Sequence, residues 1–96
     1  MFPHNESTDA LARAFLALET VDDCYRLFED LFTIKEVQDI SQRLEVARML
    51  QEKATYKEIV KRTGVSTATI GRVNRALNYE AGGYKLVLGK SSQQTK

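Results

Sequence analysis

Lys57, Lys61, Arg62, Arg72 and Arg75 bring five cations into one short stretch, and among them stand the small or polar Ser66, Thr67, Ala68 and Gly71. Lysine and arginine neutralise phosphate, arginine also pairs with guanine edges, and threonine or alanine methyl groups pack on thymine methyls. Small residues let a helix end approach base edges closely, and the helix N-terminus adds partial positive charge of its own. The chemistry suited to this set is a salt-dependent grip on double-stranded DNA combined with readout of its bases.

Two short helices would have to hold these side chains. In TYKEIVKRTGVSTATIGRVNRAL, residues 55–77, Thr55 with Glu58 forms a capping box, and Tyr56, Ile59 and Val60 give the following helix an apolar face. Gly64 stands where a left-handed backbone would end that helix, Val65 can plug the angle, and Ser66 can cap a second helix. There Ile70, Val73 and Leu77 recur at the spacing of a buried stripe, leaving Thr67, Ala68, Gly71, Arg72 and Arg75 on other faces. Glycine turn, apolar spacing and basic face together predict a helix-turn-helix; separately they would fit a short helical hairpin with solvated lysines.

The 96 residues suffice for a single domain with a modest core. On this reading 7–51 form a helical core and dimerisation region, 55–77 the helix-turn-helix, and 78–96 a tail whose end is flexible. One proline and five glycines point to a folded helical protein. The lone Cys24 excludes a disulfide framework and reads as a small core residue, and with His4 as the only histidine no metal site is expected. Neither a signal peptide nor a membrane span is recognisable, so a cytoplasmic location is expected. Net charge is only +1, yet residues 1–32 hold two basic and seven acidic side chains (−5) against twelve and six (+6) in 33–96. Such asymmetry fits one part facing phosphate and another facing solvent or a partner.

Taken in order, an alanine-rich helix is expected from Ser7 to about Glu19, with Leu11, Phe15 and Leu18 as its stripe. Thr20 and Asp23 cap a second helix with a broad apolar face that includes Leu27, Phe28, Leu31 and Phe32. Thr33 with Glu36 caps the longest helix, where Ile34, Val37, Ile40, Leu44, Ala47 and Leu50 recur at nearly heptad spacing to about Gln51. Asn78 can end the recognition helix, Gly82 and Gly83 break any helix, Tyr84 to Leu88 is beta-prone, and 90–96 reads as disordered. Three amphipathic helices carry more apolar surface than so short a domain hides. A two-fold dimer would bury the excess and set two recognition helices about 34 Å apart, one DNA turn. The other solution is a monomer whose first two helices fold back over the third.

The segments LFEDLFTIKEVQDISQRLEVARML and TYKEIVKRTGVSTATIGRVNRAL resemble the Trp repressor family of bacterial helix-turn-helix regulators, and more closely its short Trp-repressor-like homologues, over about residues 25–77. The resemblance implies an all-α, intertwined homodimer in which N-terminal helices interlock and helix-turn-helix heads project to DNA. In the family's tryptophan-binding member the corepressor lies between the core and the recognition helix. Thr33, Arg43, Thr69 and Arg72 match those pocket positions, which implies a site for a small amino-acid-like corepressor. Two positions depart: Val73 replaces a glycine that makes room for the indole, and Ala76 replaces a serine near the ligand's amino group. Three added carbons in a tight site argue against tryptophan, and Val73 on the apolar stripe allows a core with no ligand.

The function expected from these readings is a sequence-specific, DNA-binding transcriptional regulator, a repressor occupying a palindromic operator and possessing an amino-acid response if the pocket survives. A reading of a different class is a helical protein-interaction module that docks through its acidic first helix without specific DNA binding. No enzyme is expected: no carboxylates are paired in an apolar setting, no nucleophile has a histidine base, and no glycine-rich phosphate loop is present.

Overall fold

The computed structural model describes residues 2–94, with side chains to position 89, as six α-helices and no strand among the described residues. They are α1 (Glu6–Leu16), α2 (Val21–Leu31), α3 (Ile34–Gln51), α4 (Tyr56–Thr63), α5 (Thr67–Tyr79) and α6 (Gly83–Gln94). The all-helical expectation holds.

Short polar side chains set the helix starts. Thr20 accepts from the Asp23 amide at 3.0 Å, and Thr33 and Glu36 exchange bonds of 3.1 and 2.8 Å across the start of α3. Each such cap satisfies a first-turn amide that has no partner inside the helix, and is worth about 1 kcal/mol. At α1 the cap is Asn5, not Ser7: its Oδ1 accepts from the Thr8 amide and the Thr8 hydroxyl accepts from the Asn5 amide, both at 3.0 Å. This helix ends at Leu16, short of Glu19, whose amide instead donates to the Asp23 carboxylate of the next helix at 3.2 Å.

The chain divides into two compact units, Met1–Val37 and Gln38–Lys96. In the first, no residue of α1 or α2 is buried. Its aromatic side chains meet edge to face, Tyr25 with Phe28, Phe28 with Phe32 and Phe15 with Phe32, at centroid separations of 6.1, 6.0 and 6.4 Å. Cys24 is half-buried and free.

The second unit has a core built from Val46, Ala47 and Met49 of α3, Ile59 of α4, Ile70 and Val73 of α5 and Leu88 of α6, with Leu50, Ala54, Val65 and Tyr84 packed against it. The expected stripe along α3 is therefore only partly core. Ala47 is buried and Leu50 packs on the core, but Ile34, Ile40 and Leu44 stay exposed, because the inward face of the C-terminal half is set by the shorter helices packed on it. On α4 only Ile59 is buried, while Tyr56 and Val60 lie at the surface.

Two expectations for the C-terminal region are corrected. Asn78 does not end α5, which runs to Tyr79; its side-chain amide donates to the Asn74 carbonyl at 2.9 Å, within the helix. The beta-prone run Tyr84 to Leu88 is helical. Gly82, at φ 85°, makes the turn, its carbonyl accepts from the Leu86 amide at 3.0 Å, and Tyr84 and Leu88, four apart, reach the core together. Tertiary burial at helical spacing overrides local β propensity. The reading of the last residues as disordered meets a helical backbone through Gln94, and Thr95 and Lys96 lie outside the described residues.

Gly64 closes α4 with φ 76°, and its amide donates to the Val60 carbonyl at 2.8 Å. No atom lies within 4 Å of where a Cβ would stand, so the cost of a side chain there is purely that of the left-handed backbone. Gly64→Ala is expected to lower the unfolding free energy by about 1 kcal/mol, measurable by urea titration.

Candidate nucleic-acid interface

Two capped starts and one glycine turn build the helix-turn-helix. Thr55 and Glu58 form the reciprocal box at 3.1 and 2.7 Å, and these bonds, first the one from the Thr55 amide, hold the Glu58 carboxyl below its ordinary value. At the turn the Thr63 hydroxyl donates to the Ile59 carbonyl at 2.7 Å and accepts from the Val65 amide at 3.3 Å. Val65 sits against the core as the plug between the helices. Ser66 caps α5, accepting from the Thr69 amide at 3.1 Å, and the two hydroxyls share a bond of 3.1 Å.

Burial then orients α5. Ile70, Val73 and Leu77 are buried, Thr67, Ala68, Arg72 and Arg75 are exposed, and Gly71 is half-buried with the Arg75 guanidinium alongside it, 3.9 Å from where a Cβ would lie. No acidic residue occurs between Thr67 and Tyr79. The exposed face thus presents two arginines, small residues and the amide-rich start of a helix, a surface on which an anion is favoured. Lys57 and Lys61, four apart on α4, are exposed and have no carboxylate partner among the described residues.

Arg62, next to Lys61, has a different setting. Its Nε lies 3.9 Å from Glu45 Oε2 of α3. Glu45 is itself held by Arg48 through bonds of 2.9 and 2.6 Å, and Arg48 also donates to Glu52 at 2.6 Å. The bonds from Arg48 hold the Glu45 carboxyl below its ordinary value and raise the Arg48 guanidinium above its own.

Of the four expected effector positions, three come together. Arg43, Thr69 and Arg72 line a cleft of about 320 Å³ with Asp39, Gln42 and Val65. Two guanidinium groups, a carboxylate, an amide and a hydroxyl make it a polar cleft suited to a small ligand bearing an anionic group. Thr33 belongs to the N-terminal unit, where it caps α3. Val73 is only 2 % exposed and belongs to the core, as the apolar stripe required. Ala76 opens on a second, more apolar groove of about 530 Å³ that also contains Ile40, Leu44, Tyr84 and Val87. Asp39 and Gln42 were missed by the sequence reading, although Gln42 and Arg43 follow Asp39 at three- and four-residue spacing on α3. So was the Glu45, Arg48, Glu52 series, visible as charges three and four residues apart.

A helical chain whose exposed cations are mounted on a helix-turn-helix falls in the class of DNA-binding regulators. Its sequence matches the family described as Trp repressor protein over residues 6–92, and the chain belongs to that family of transcription regulators. The uncharacterized protein YerC of Bacillus subtilis (strain 168) is 51 % identical over 82 residues, covering 85 % of this chain and 79 % of YerC. The crystal structure of a TrpR-like protein from Eubacterium eligens ATCC 27750 superposes with a TM-score of 0.87 at 46 % identity, covering 92 % of this chain and 91 % of that one. That of a proposed Trp repressor from Staphylococcus aureus gives 0.88 at 40 %, covering 93 % and 89 %.

The lowered Glu45 carboxyl has a consequence for stability. Its ion pairs contribute above the ordinary glutamate value of 4.5 and are lost as pH falls through the lower value of the folded state. Glu45→Gln is therefore expected to be less stable than the native chain at neutral pH, and the gap should narrow as pH is taken below 4.5. Urea midpoints across a pH series would check this.

Proposed function

We propose that the chain is a sequence-specific transcriptional regulator that acts as a homodimer on a palindromic operator, repressing by occupying the promoter. The observation that carries this reading is the exposed face of α5: Thr67, Ala68, Gly71, Arg72 and Arg75 beside a Ser66-capped N-terminus, with no carboxylate on the helix. Lys57 and Lys61 supply the salt-dependent grip, and Thr67, Ala68, Gly71 and Arg72 set specificity directly or through bridging water. The dimer is supported by apolar side chains left uncovered in a single copy. Leu11, Phe15 and Leu31 in the first unit and Ile40 and Leu44 in the second are each 41–47 % exposed, apolar area that a second copy could cover. A two-fold arrangement would set the recognition helices about 34 Å apart. The relatives are bacterial proteins, which supports action in a bacterial cytoplasm; no helix among the described residues is long and apolar enough to cross a membrane.

The cleft holding Arg43, Thr69 and Arg72 is our candidate effector site, with Thr33 as its fourth position by family resemblance. An amino-acid-like corepressor would place its carboxylate on the guanidinium groups. Tryptophan is disfavoured because Val73 belongs to the packed core.

Selection of bound sequences from a random duplex library, with and without the proteinogenic amino acids, tests both parts. A palindrome with half-sites about one turn apart is expected; enrichment dependent on one amino acid supports the effector site, and enrichment regardless of amino acids removes it. If nothing is enriched even at low salt, the DNA-binding reading fails and the interaction-module reading replaces it. On a recovered operator, Arg72→Ala is expected to weaken binding by about 1–3 kcal/mol and to relax base preference, whereas Lys61→Ala should weaken all sequences alike. Fluorescence anisotropy titrations would separate the two.

A further inference from the structure

Arg62 has the charge of a DNA contact but not the setting of one. It stands one position beyond Lys61, about 100° further round α4, on the face it shares with Glu58 four residues earlier. The Glu58 carboxylate is fixed there by the Thr55 amide at 2.7 Å. From α3, Glu45 approaches Arg62 to 3.9 Å and is kept in place by its paired bonds from Arg48. With Arg48, Glu52, Lys53 and Glu58, Arg62 lines a surface cavity of about 420 Å³. Once Glu45 is counted, carboxylates balance cations around it, so this patch offers phosphate no net attraction. A phosphate oxygen moving toward Arg62 would meet Glu45, Glu52 and Glu58 as well. Lys57 and Lys61 share another face of α4 and do not line this cavity.

We propose that Arg62 is a positioning residue: paired with Glu45 it ties α4 to α3 and seats the helix-turn-helix, while the phosphate contacts of α4 fall to Lys57 and Lys61. This rests on the DNA-binding reading above. A phosphate-binding cation contributes to the salt dependence of binding, because it displaces counterions; one committed to a carboxylate does not.

The test uses the full chain and a labelled random-sequence duplex of about 30 base pairs, three helical turns. Affinity is followed against salt, and thermal midpoints are recorded for the same proteins. Lys61→Ala should lower the slope of log affinity against log salt by about 1 per copy bound, about 2 for a homodimer. Arg62→Gln, which keeps much of the side-chain stem, should hold the native slope while its thermal midpoint drops. Coupling is read by charge reversal. Glu45→Gln should lower the midpoint of the native chain and lower that of Arg62→Glu by less, because there the loss of the Arg48 bonds is offset by removal of a repulsion. A slope loss for Arg62→Gln equal to that of Lys61→Ala would overturn the proposal while leaving DNA binding intact. So would a Glu45→Gln effect of the same sign and size in both backgrounds. Absence of salt-dependent binding by the native chain would overturn the DNA-binding reading and this assignment together.

Discussion

Burial of one stripe of α5 against α3 and α4 is the contact from which the orientation of everything else follows. Ile70 and Val73 meet a core in which Val46, Ala47 and Ile59 are wholly buried. Burying a valine or isoleucine side chain contributes about 1.5–3 kcal/mol, so rotating α5 to expose this stripe would remove several such contributions at once. A helix has a fixed angular order of residues. Once Ile70, Val73 and Leu77 point inward, Thr67, Ala68, Arg72 and Arg75 have no choice but to point out. The exposed face is thus a by-product of packing, and Gly64 and Ser66 only set the angle at which it is presented.

Charge is sorted on that scaffold by partner and not by residue type. Arg48 and Arg62 lie among Glu45, Glu52 and Glu58, while Lys57, Lys61, Arg72 and Arg75 occupy other faces of α4 and α5. Arg72 and Arg43 border a polar cleft next to the turn. Val73, one residue along, is spent on the core and does not line that cleft. The strongly acidic start of the chain lies in the other unit, so the chain's near-neutral total conceals a basic head.

The N-terminal unit leaves both of its helices without a buried residue, although its aromatic side chains touch one another edge to face. Helices this short draw most of their stability from packing an apolar face. Membership of the Trp repressor family and the likeness to TrpR-like structures are consistent with a second copy covering that face.

What could be read from the sequence is what local geometry controls. The caps at Thr20, Thr33, Thr55 and Ser66, the left-handed Gly64 and the Ile70, Val73, Leu77 stripe depend on groups within a few residues of one another, and each stands where its spacing put it. Even the departure at Val73 was visible, because a residue on the stripe is core wherever the helix packs. Packing between distant segments was not visible. Whether Tyr84 and Leu88 form a strand or a helix turned on the core of α3, α4 and α5 offering them a site, and the same core decided which half of the α3 stripe is covered. Asp39 and Gln42 became cleft residues, and Arg62 a neighbour of Glu45, only when α3 was laid against the helix-turn-helix. Sequence spacing sets which side chains share a face of one helix; which faces meet is a property of the packed whole, where burial of area outweighs local preference.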